Sequence, residues 1–226
     1  MEKIVIFGVS QLASLAHFYF EHDSPHEVVA FTVDQDFVVK NEFRGLPVIP
    51  FNQVEKMYPP SIYKIFLPIS FKKMNYLRKT KYEEAKAKGY KCVTYISSKA
   101  TIWPDLIIGE NCFLLEDNTI QPFVEIGNNC VLWSGNHIGH HTVIKDHVFI
   151  TSQVVVSGCC ELGENSFFGV NSTIRDETIV GRSSLIGMGA IITEDTQEFS
   201  IWTGAKSNKR GVKSIDLSSI SHKSKG

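Results

Sequence analysis

From Ile102 to Ile192 an aliphatic residue or Phe stands at every sixth position of this 226-residue chain, without a miss. The series runs through Ile108, Leu114, Ile120, Ile126, Leu132, Ile138 and onward to Phe168, Ile174, Val180 and Ile186. A helix repeats every 3.6 residues and a flat strand every two, so neither sustains a six-residue rhythm, and internal repetition is the first thing to explain. The position four after each of these is mostly small or β-branched, as at Cys112, Val124, Cys130, Thr142, Val154, Ser166, Ser172 and Ala190. One large and one small inward position per six residues describe a short flat strand followed by a corner. Three such sides close one triangular coil of eighteen residues, which makes a left-handed parallel β-helix.

The coils align when written in blocks of eighteen. Gly109, Gly127, Gly163 and Gly181 share one corner, followed two positions later by Asn111, Asn129 and Asn165, residue types that tolerate a positive φ. Asn118 and Asn136 are inward and eighteen apart, as an internal amide ladder requires. Phe113, Val131, Phe149, Phe167 and Leu185, with Leu115 and Trp133 beside them, form an outward apolar stripe. A patch of that length marks a protein interface, and threefold packing of prisms is the expected way to bury it.

Ahead of the repeat, residues 1–97 alternate strand and helix. Strands are expected over 3–7, 28–33, 62–68 and 91–96, and helices over 11–20 and 72–88, which is the pattern of a small Rossmann-like α/β sheet. Ligands of such sheets sit at strand carboxyl ends, here the Gly8-Val9-Ser10 turn and Asp34. Gly8, Ser10 and Ala13 fall short of the glycine fingerprint for a dinucleotide, so a nucleotide or nucleotide sugar is the better-matched ligand. The division expected is 1–97 for this part, 98–205 for the β-helix, and 206–226 for a Ser- and Lys-rich tail, disordered at its end.

Totals exclude several classes of function. Lys and Arg number 23 against 24 Asp and Glu, and the basic residues are scattered, so nucleic acid and anionic membrane are not expected partners. No apolar run approaches the ~20 residues of a membrane span, and a cytoplasmic protein is expected. Five cysteines without zinc-type pairing argue for reduced packing thiols rather than disulfides or a structural metal.

Four of the eight histidines lie between 137 and 147. His140 and His141 occupy outward positions at a corner. Imidazole is suited to take a proton from an amine or hydroxyl attacking a thioester. Gly158 lies eighteen residues beyond His140, hence one coil or roughly 4.8 Å along the prism, where a bare backbone N–H could stabilise an oxyanion. Gly169 and Gly187 leave backbone bare on a flank where a narrow ligand could lie.

The KIVIFGVS opening, RGLPVI at 44–49, the long hexapeptide run and SGNHIGHHTVI at 134–144 together resemble bacterial sugar acyltransferases of the NeuD and PglD type. The resemblance covers nearly the whole chain. It implies an acetyl-CoA-dependent homotrimer that N-acetylates a UDP- or dTDP-linked amino sugar in surface polysaccharide biosynthesis, without a metal, and with active sites between subunits. It also implies that His140 is the catalytic base and Gly158 the oxyanion donor. His141 stands where PglD-type enzymes carry a Glu that orients the base; a neutral imidazole can accept a hydrogen bond but adds no negative charge. Family members show G-x-P-A-K near the coenzyme nucleotide, and here Thr203-Gly204-Ala205-Lys206 lacks the proline but keeps Lys206, with Lys209 and Arg210 nearby for phosphates. Alternatives of the same fold are O-acetylation of a sialic acid or other sugar, and transfer of a larger acyl group. More distant are a γ-carbonic-anhydrase-like zinc enzyme drawing on His137, His140, His141 and His147, and a non-catalytic nucleotide-sugar sensor.

Overall fold

Every side of the C-terminal prism is a ladder of two-residue parallel strands, each paired with the strand eighteen residues away. Glu125 faces Val143, Val131 faces Phe149 and His137 faces Val155. The computed structural model describes residues 1–209, 211 and 213–216. Face one runs from Ile107–Ile108 to Ile179–Val180, face two from Tyr95–Ile96 to Ile201–Trp202, and face three from Thr119–Ile120 to Ile191–Ile192. The result is the left-handed β-helix that the repeat demands. From Leu114 to Ile192 each member of the hexapeptide series is at most 2% exposed, whereas Ile102, at the open end of the prism, is 39% exposed. Burying one such side chain contributes about 1.5–3 kcal/mol, which is the force that holds each coil over the next. In the last coil Leu185 pairs with Ile201, sixteen residues on, so this turn is two residues short.

The corners separate two roles that the sequence reading had merged. Asn111, Asn129 and Asn165 are left-handed, with φ of 56°, 57° and 59°, and so is nearly every sixth residue, including His141, His147 and Cys159. The glycines two positions earlier are needed for a different reason. A Cβ on Gly109 would lie 2.8 Å from the backbone of Asn128 in the next coil, and one on Gly163 would lie 2.5 Å from the nitrogen of Arg182. Inside, Asn136 Nδ2 donates to Asn118 Oδ1 at 2.9 Å and Asn136 Oδ1 accepts from the Val154 amide, so the expected amide ladder forms.

The N-terminal part holds β1 (Lys3–Phe7), α1 (Gln11–His22), β2 (Glu27–Val33), β3 (Glu42–Phe43), β4 (Leu46–Pro50), α2 (Val54–Met57), β5 (Tyr63–Phe66) and α3 (Tyr76–Ala87). Its sheet has the order β3-β4-β2-β1-β5, parallel except for the β3–β4 hairpin, whose turn uses Arg44 at φ 54° and Gly45 at φ 78°. The strand expected over 91–96 is split: Cys92 pairs in parallel with Ile65 of β5 at the edge of the Rossmann-like sheet, and Tyr95–Ile96 joins face two of the prism. The helix expected from 72 begins at Tyr76, because Lys73, Met74 and Asn75 are left-handed.

The apolar stripe is not a surface. Phe113, Leu115, Val131 and Phe149 are at most 3% exposed and share one core with Phe20, Phe66 and Tyr95. The chain's own N-terminal part covers this stretch of face two, while Trp133, Phe167 and Leu185 of the stripe are half-buried; the sequence pattern gives the need for a cover but not its source. Polar bonds fix the seam. Arg78 of α3 is fully buried and lies over the Phe149 ring, donating to the carbonyls of Asn129, His147 and Val148 and to Asn75 Oδ1. Burial pushes this guanidinium down to about 10, so it is charged at neutral pH. Asn75 Nδ2 in turn donates to the carbonyls of Asn165 and Ser166, both at 3.0 Å. Lys79 pairs with Glu164, and Tyr19 donates to Glu116.

Two outcomes follow from the seam. Removing the fork should leave several coil carbonyls without donors, so Arg78→Ala is expected to lower the free energy of urea unfolding by about 3 kcal/mol, with little rescue by Arg78→Lys. His147, stacked over Asn129 in the same edge, accepts at Nδ1 from Asn129 Nδ2 at 2.8 Å. Burial first, then the Lys79 and Arg78 charges, push its imidazole down to about 4 against the pull of Asp146. The unfolded imidazole takes its proton near pH 6.5 and the folded one only near 4, so this contribution is complete above pH ~6.5 and lost as pH falls through that window. On the order of 2–3 kcal/mol should disappear between pH 7 and 4, and a His147→Asn variant should lack that component of the decline.

Candidate active site

His140 sits on the edge between faces three and one, the edge opposite face two and therefore opposite the chain's own N-terminal part. The flat strand His137–Ile138 ends there and Val143–Ile144 begins. Glycines on both sides of the coil boundary let the edge pack closely, since a Cβ on Gly139 would come within 2.5 Å of the Gly158 nitrogen. The His140 ring lies directly against Gly158. A Cβ placed on that glycine would be 2.8 Å from Cε1 and 2.9 Å from Nε2. Gly158 N–H has no acceptor among the described residues, and the His140 ring fills the space that a side chain at position 158 would take.

Neighbours orient the ring. Gln121 Oε1 accepts from the His140 amide at 2.8 Å, and His140 Nδ1 lies 3.1 Å from His141 Nδ1. One nitrogen of that pair donates and the other accepts. With the proton on His140 Nδ1, its Nε2 carries a free lone pair, the state a base needs. His141 holds its place through a left-handed backbone, φ 59°, and a ring contact with Phe123 at 4.7 Å.

The sequence reading missed three residues here. Gln121, Phe123 and Cys159 all lie within a coil of His140, and Cys159 is eighteen beyond His141, so the coil period could have found it. Cys159 was expected to be a packing thiol. It is exposed instead, with Sγ 3.9 Å from His140 Nδ1, because its position in the repeat is a corner and not an inward site.

Other expected site residues fall elsewhere. Gly8 is left-handed at φ 104°, and Ser10 caps α1, accepting from the Ala13 amide at 3.4 Å. Beside this turn, Gln11, Leu12, Phe71, Trp133 and Val170 line a cavity of about 430 Å³ between the two parts. Gly169 adjoins that cavity. It is buried and Gly187 half-buried, and both occupy the edge between faces two and three, across face three from His140. The missing Cβ of Gly169 is required by coil stacking, since it would lie 2.5 Å from the Met188 nitrogen. Asp34 does not join the Gly8–Ser10 turn: its carboxylate is held by Lys81 at 2.8 Å, in a separate cleft with Phe51 and Lys88. Lys206 is exposed beyond the last coil, and Arg210 lies outside the described residues, as does most of the expected disordered tail. The zinc set proposed from sequence does not assemble, because His147 is buried on the edge facing α3. No helix among the described residues is long and apolar enough to cross a membrane.

Comparison with known proteins agrees with this build. The family described as bacterial transferase hexapeptide (six repeats) matches residues 105–140 and 123–158, and the hexapeptide repeat of succinyl-transferase matches 161–194. Over these residues the prism is similar to the hexapeptide repeats of bacterial transferases. The acetyltransferase domain of PglB from Neisseria gonorrhoeae superposes with a TM-score of 0.78 at 23% identity, covering 90% of this chain and 97% of that one. PerB from Caulobacter crescentus, solved with CoA and GDP-perosamine, gives 0.80 at 20% identity over 90% and 95% of the two chains. Over both of its parts this chain has their fold. A curated relative, the acyl-[acyl-carrier-protein]--UDP-N-acetylglucosamine O-acyltransferase of Burkholderia lata, is 28% identical over 76 residues. Those residues are 34% of this chain and 29% of the relative, so the chain spans under a third of that protein's length.

Adding one methyl group tests the geometry directly. Gly158 has no left-handed φ, so Ala suits its backbone, but the new Cβ collides with the imidazole. A crystal structure of Gly158→Ala is expected to show the His140 ring swung away from the amide, with thermal stability changed by less than ~1 kcal/mol.

Proposed function

We propose that the chain is an acetyl-CoA-dependent N-acetyltransferase acting on a nucleotide-linked amino sugar. The observation that carries this reading is an exposed imidazole packed against Gly158, whose backbone N–H has no acceptor among the described residues, at a prism edge of a two-part fold matched along 90% of the chain by the PglB acetyltransferase domain and by PerB. Those neighbours were solved with CoA, acetyl-CoA or GDP-perosamine.

In this reading His140 Nε2 accepts the proton of the attacking amine, and the Gly158 N–H donates to the carbonyl oxygen as it gains charge. When the carbon–sulfur bond breaks, the imidazolium returns its proton to the departing thiolate. The products are an amide and a free thiol. His141 keeps the proton of His140 on Nδ1, so that Nε2 is ready at the start of each cycle. The sugar's nucleotide would lie at the α1 N-terminus near Gly8 and Ser10, where backbone N–H groups and the helix dipole favour phosphate. Lys206 would contact the coenzyme's phosphates, and the edge with Gly169 and Gly187 would lodge its narrow arm.

Because His140 lies across the prism from the chain's own N-terminal part, the nucleotide-binding part of one subunit would serve the edge of another. A homotrimer meets this need and would bury apolar residues left exposed on the two uncovered faces and their shared edge, including Phe123, Val155, Ile179 and Ile191. UDP- or dTDP-linked sugars remain the substrates proposed from sequence, and a GDP-linked sugar belongs in the same screen. O-acetylation and longer acyl donors are outcomes of that screen.

The test is an acceptor screen with acetyl-CoA, reading free thiol and product mass. Turnover of a nucleotide-linked amino sugar, falling ~10²–10⁴-fold in His140→Asn with the fold intact, is expected. Turnover of a sialic acid alone, or an unchanged rate in His140→Asn, would overturn the reading.

A further inference from the structure

The residues around His140 offer more donors than acyl transfer needs. One ring nitrogen of His140, one of His141 and Sγ of Cys159 all lie within 4.8 Å of one another, and all three residues are exposed. The two nitrogens are 3.1 Å apart, and the sulfur is 3.9 Å from His140 Nδ1. A tetrahedral ion bound at ~2.05 Å to nitrogen and ~2.3 Å to sulfur holds two nitrogens about 3.4 Å apart and nitrogen from sulfur about 3.6 Å apart. Both separations from His140 are within a few tenths of an ångström of these values, and rotation of the exposed His141 and Cys159 side chains would close the third, which is within 4.8 Å, leaving the fourth position open to solvent. Left-handed backbone at both His141 and Cys159, φ 59° and 58°, sets these neighbouring corner side chains one coil apart on the same edge.

We propose that His140, His141 and Cys159 form a binding site for a borderline-soft divalent cation such as zinc, and that occupancy of this site switches acyl transfer off. The switching half rests on the transferase reading above; the binding half does not. In the metal-free site one proton lies between the two Nδ1 atoms, and the ion takes its place. Cys159 gives up its thiol proton to solvent and binds as thiolate. His140 binds the ion through the Nδ1 lone pair, so its remaining ring proton must sit on Nε2. That nitrogen is the one left to take a proton from the acceptor, and with its lone pair gone the ring is no longer a base. The ion need not cover the Gly158 amide to stop the reaction. It acts by fixing the wrong tautomer.

Cobalt(II) is a suitable probe, because a bound thiolate gives a near-ultraviolet charge-transfer band and tetrahedral geometry gives strong visible bands. Titration of the full chain should show both at one equivalent, displaced by zinc, and Cys159→Ser should lose the charge-transfer band. In parallel, zinc should abolish acetyl transfer reversibly, with EDTA restoring it. Cys159→Ser, measured against its own metal-free rate, should need at least ~10-fold more zinc for half-inhibition. Absence of the band in the unmodified chain, or its persistence in Cys159→Ser, would overturn the site. A band that depends on Cys159 while transfer proceeds at full rate with the ion bound would overturn the switch. Should no acceptor be turned over at all, the transferase reading fails, and the cobalt titration still decides the site on its own.

Discussion

Stacking at a period of eighteen residues is the constraint from which the remaining features derive. It forces one large and one small side chain inward on each side of the triangle, and it requires a left-handed residue at nearly every corner. It requires glycine wherever one coil's corner presses on the next. The geometry of the proposed active site is a by-product of the same rule. His140 and Gly158 meet because they occupy equivalent corner positions in consecutive coils, and Cys159 reaches the pair because it stands one coil above His141. No loop has to be ordered to assemble this cluster. A ladder of buried aliphatic side chains behind the edge fixes it, so its rigidity is that of the core.

The second organising element is the seam between the two parts. Face two presents Phe113, Val131 and Phe149, which no water-exposed surface would hold in a column, and α1, α3 and β5 supply the cover. Within this apolar contact Arg78 has no carboxylate partner among the described residues. It satisfies its donors with main-chain carbonyls from two successive coils, which ties one helix to the coil stacking itself. Such a contact joins the N-terminal part to the prism in one orientation. It leaves the other two faces and the His140 edge free.

The prism was legible in the sequence because its period is strict and unlike any other. Leu114 through Ile192 and the small residues four positions later are buried as the pattern requires, and the Asn118–Asn136 ladder follows from the same count. The alternation of strands and helices in the first half was legible as well. What the sequence did not disclose is pairing between distant segments. An outward Phe113 reads the same whether its cover is another subunit or residues 12–20 of its own chain. Asp34 at a strand end reads as a ligand group until Lys81, 47 residues later, is seen to hold it. Tyr95–Ile96 reads as the close of one sheet, although it opens the next. At the site, His140 and Gly158 were legible through the coil period. Gln121, Phe123 and Cys159 follow from the same arithmetic but carry no residue-type signal as strong as paired histidines.

The central claim is that one reacting carbonyl is held between His140 Nε2 and the Gly158 amide. A crystal structure of the chain with a non-hydrolysable acetyl-CoA analogue tests it most directly. The carbonyl oxygen is expected about 3 Å from the Gly158 nitrogen, with His140 Nε2 facing the open side of the carbonyl carbon. A coenzyme whose carbonyl lies against another edge, out of reach of both groups, would contradict the account.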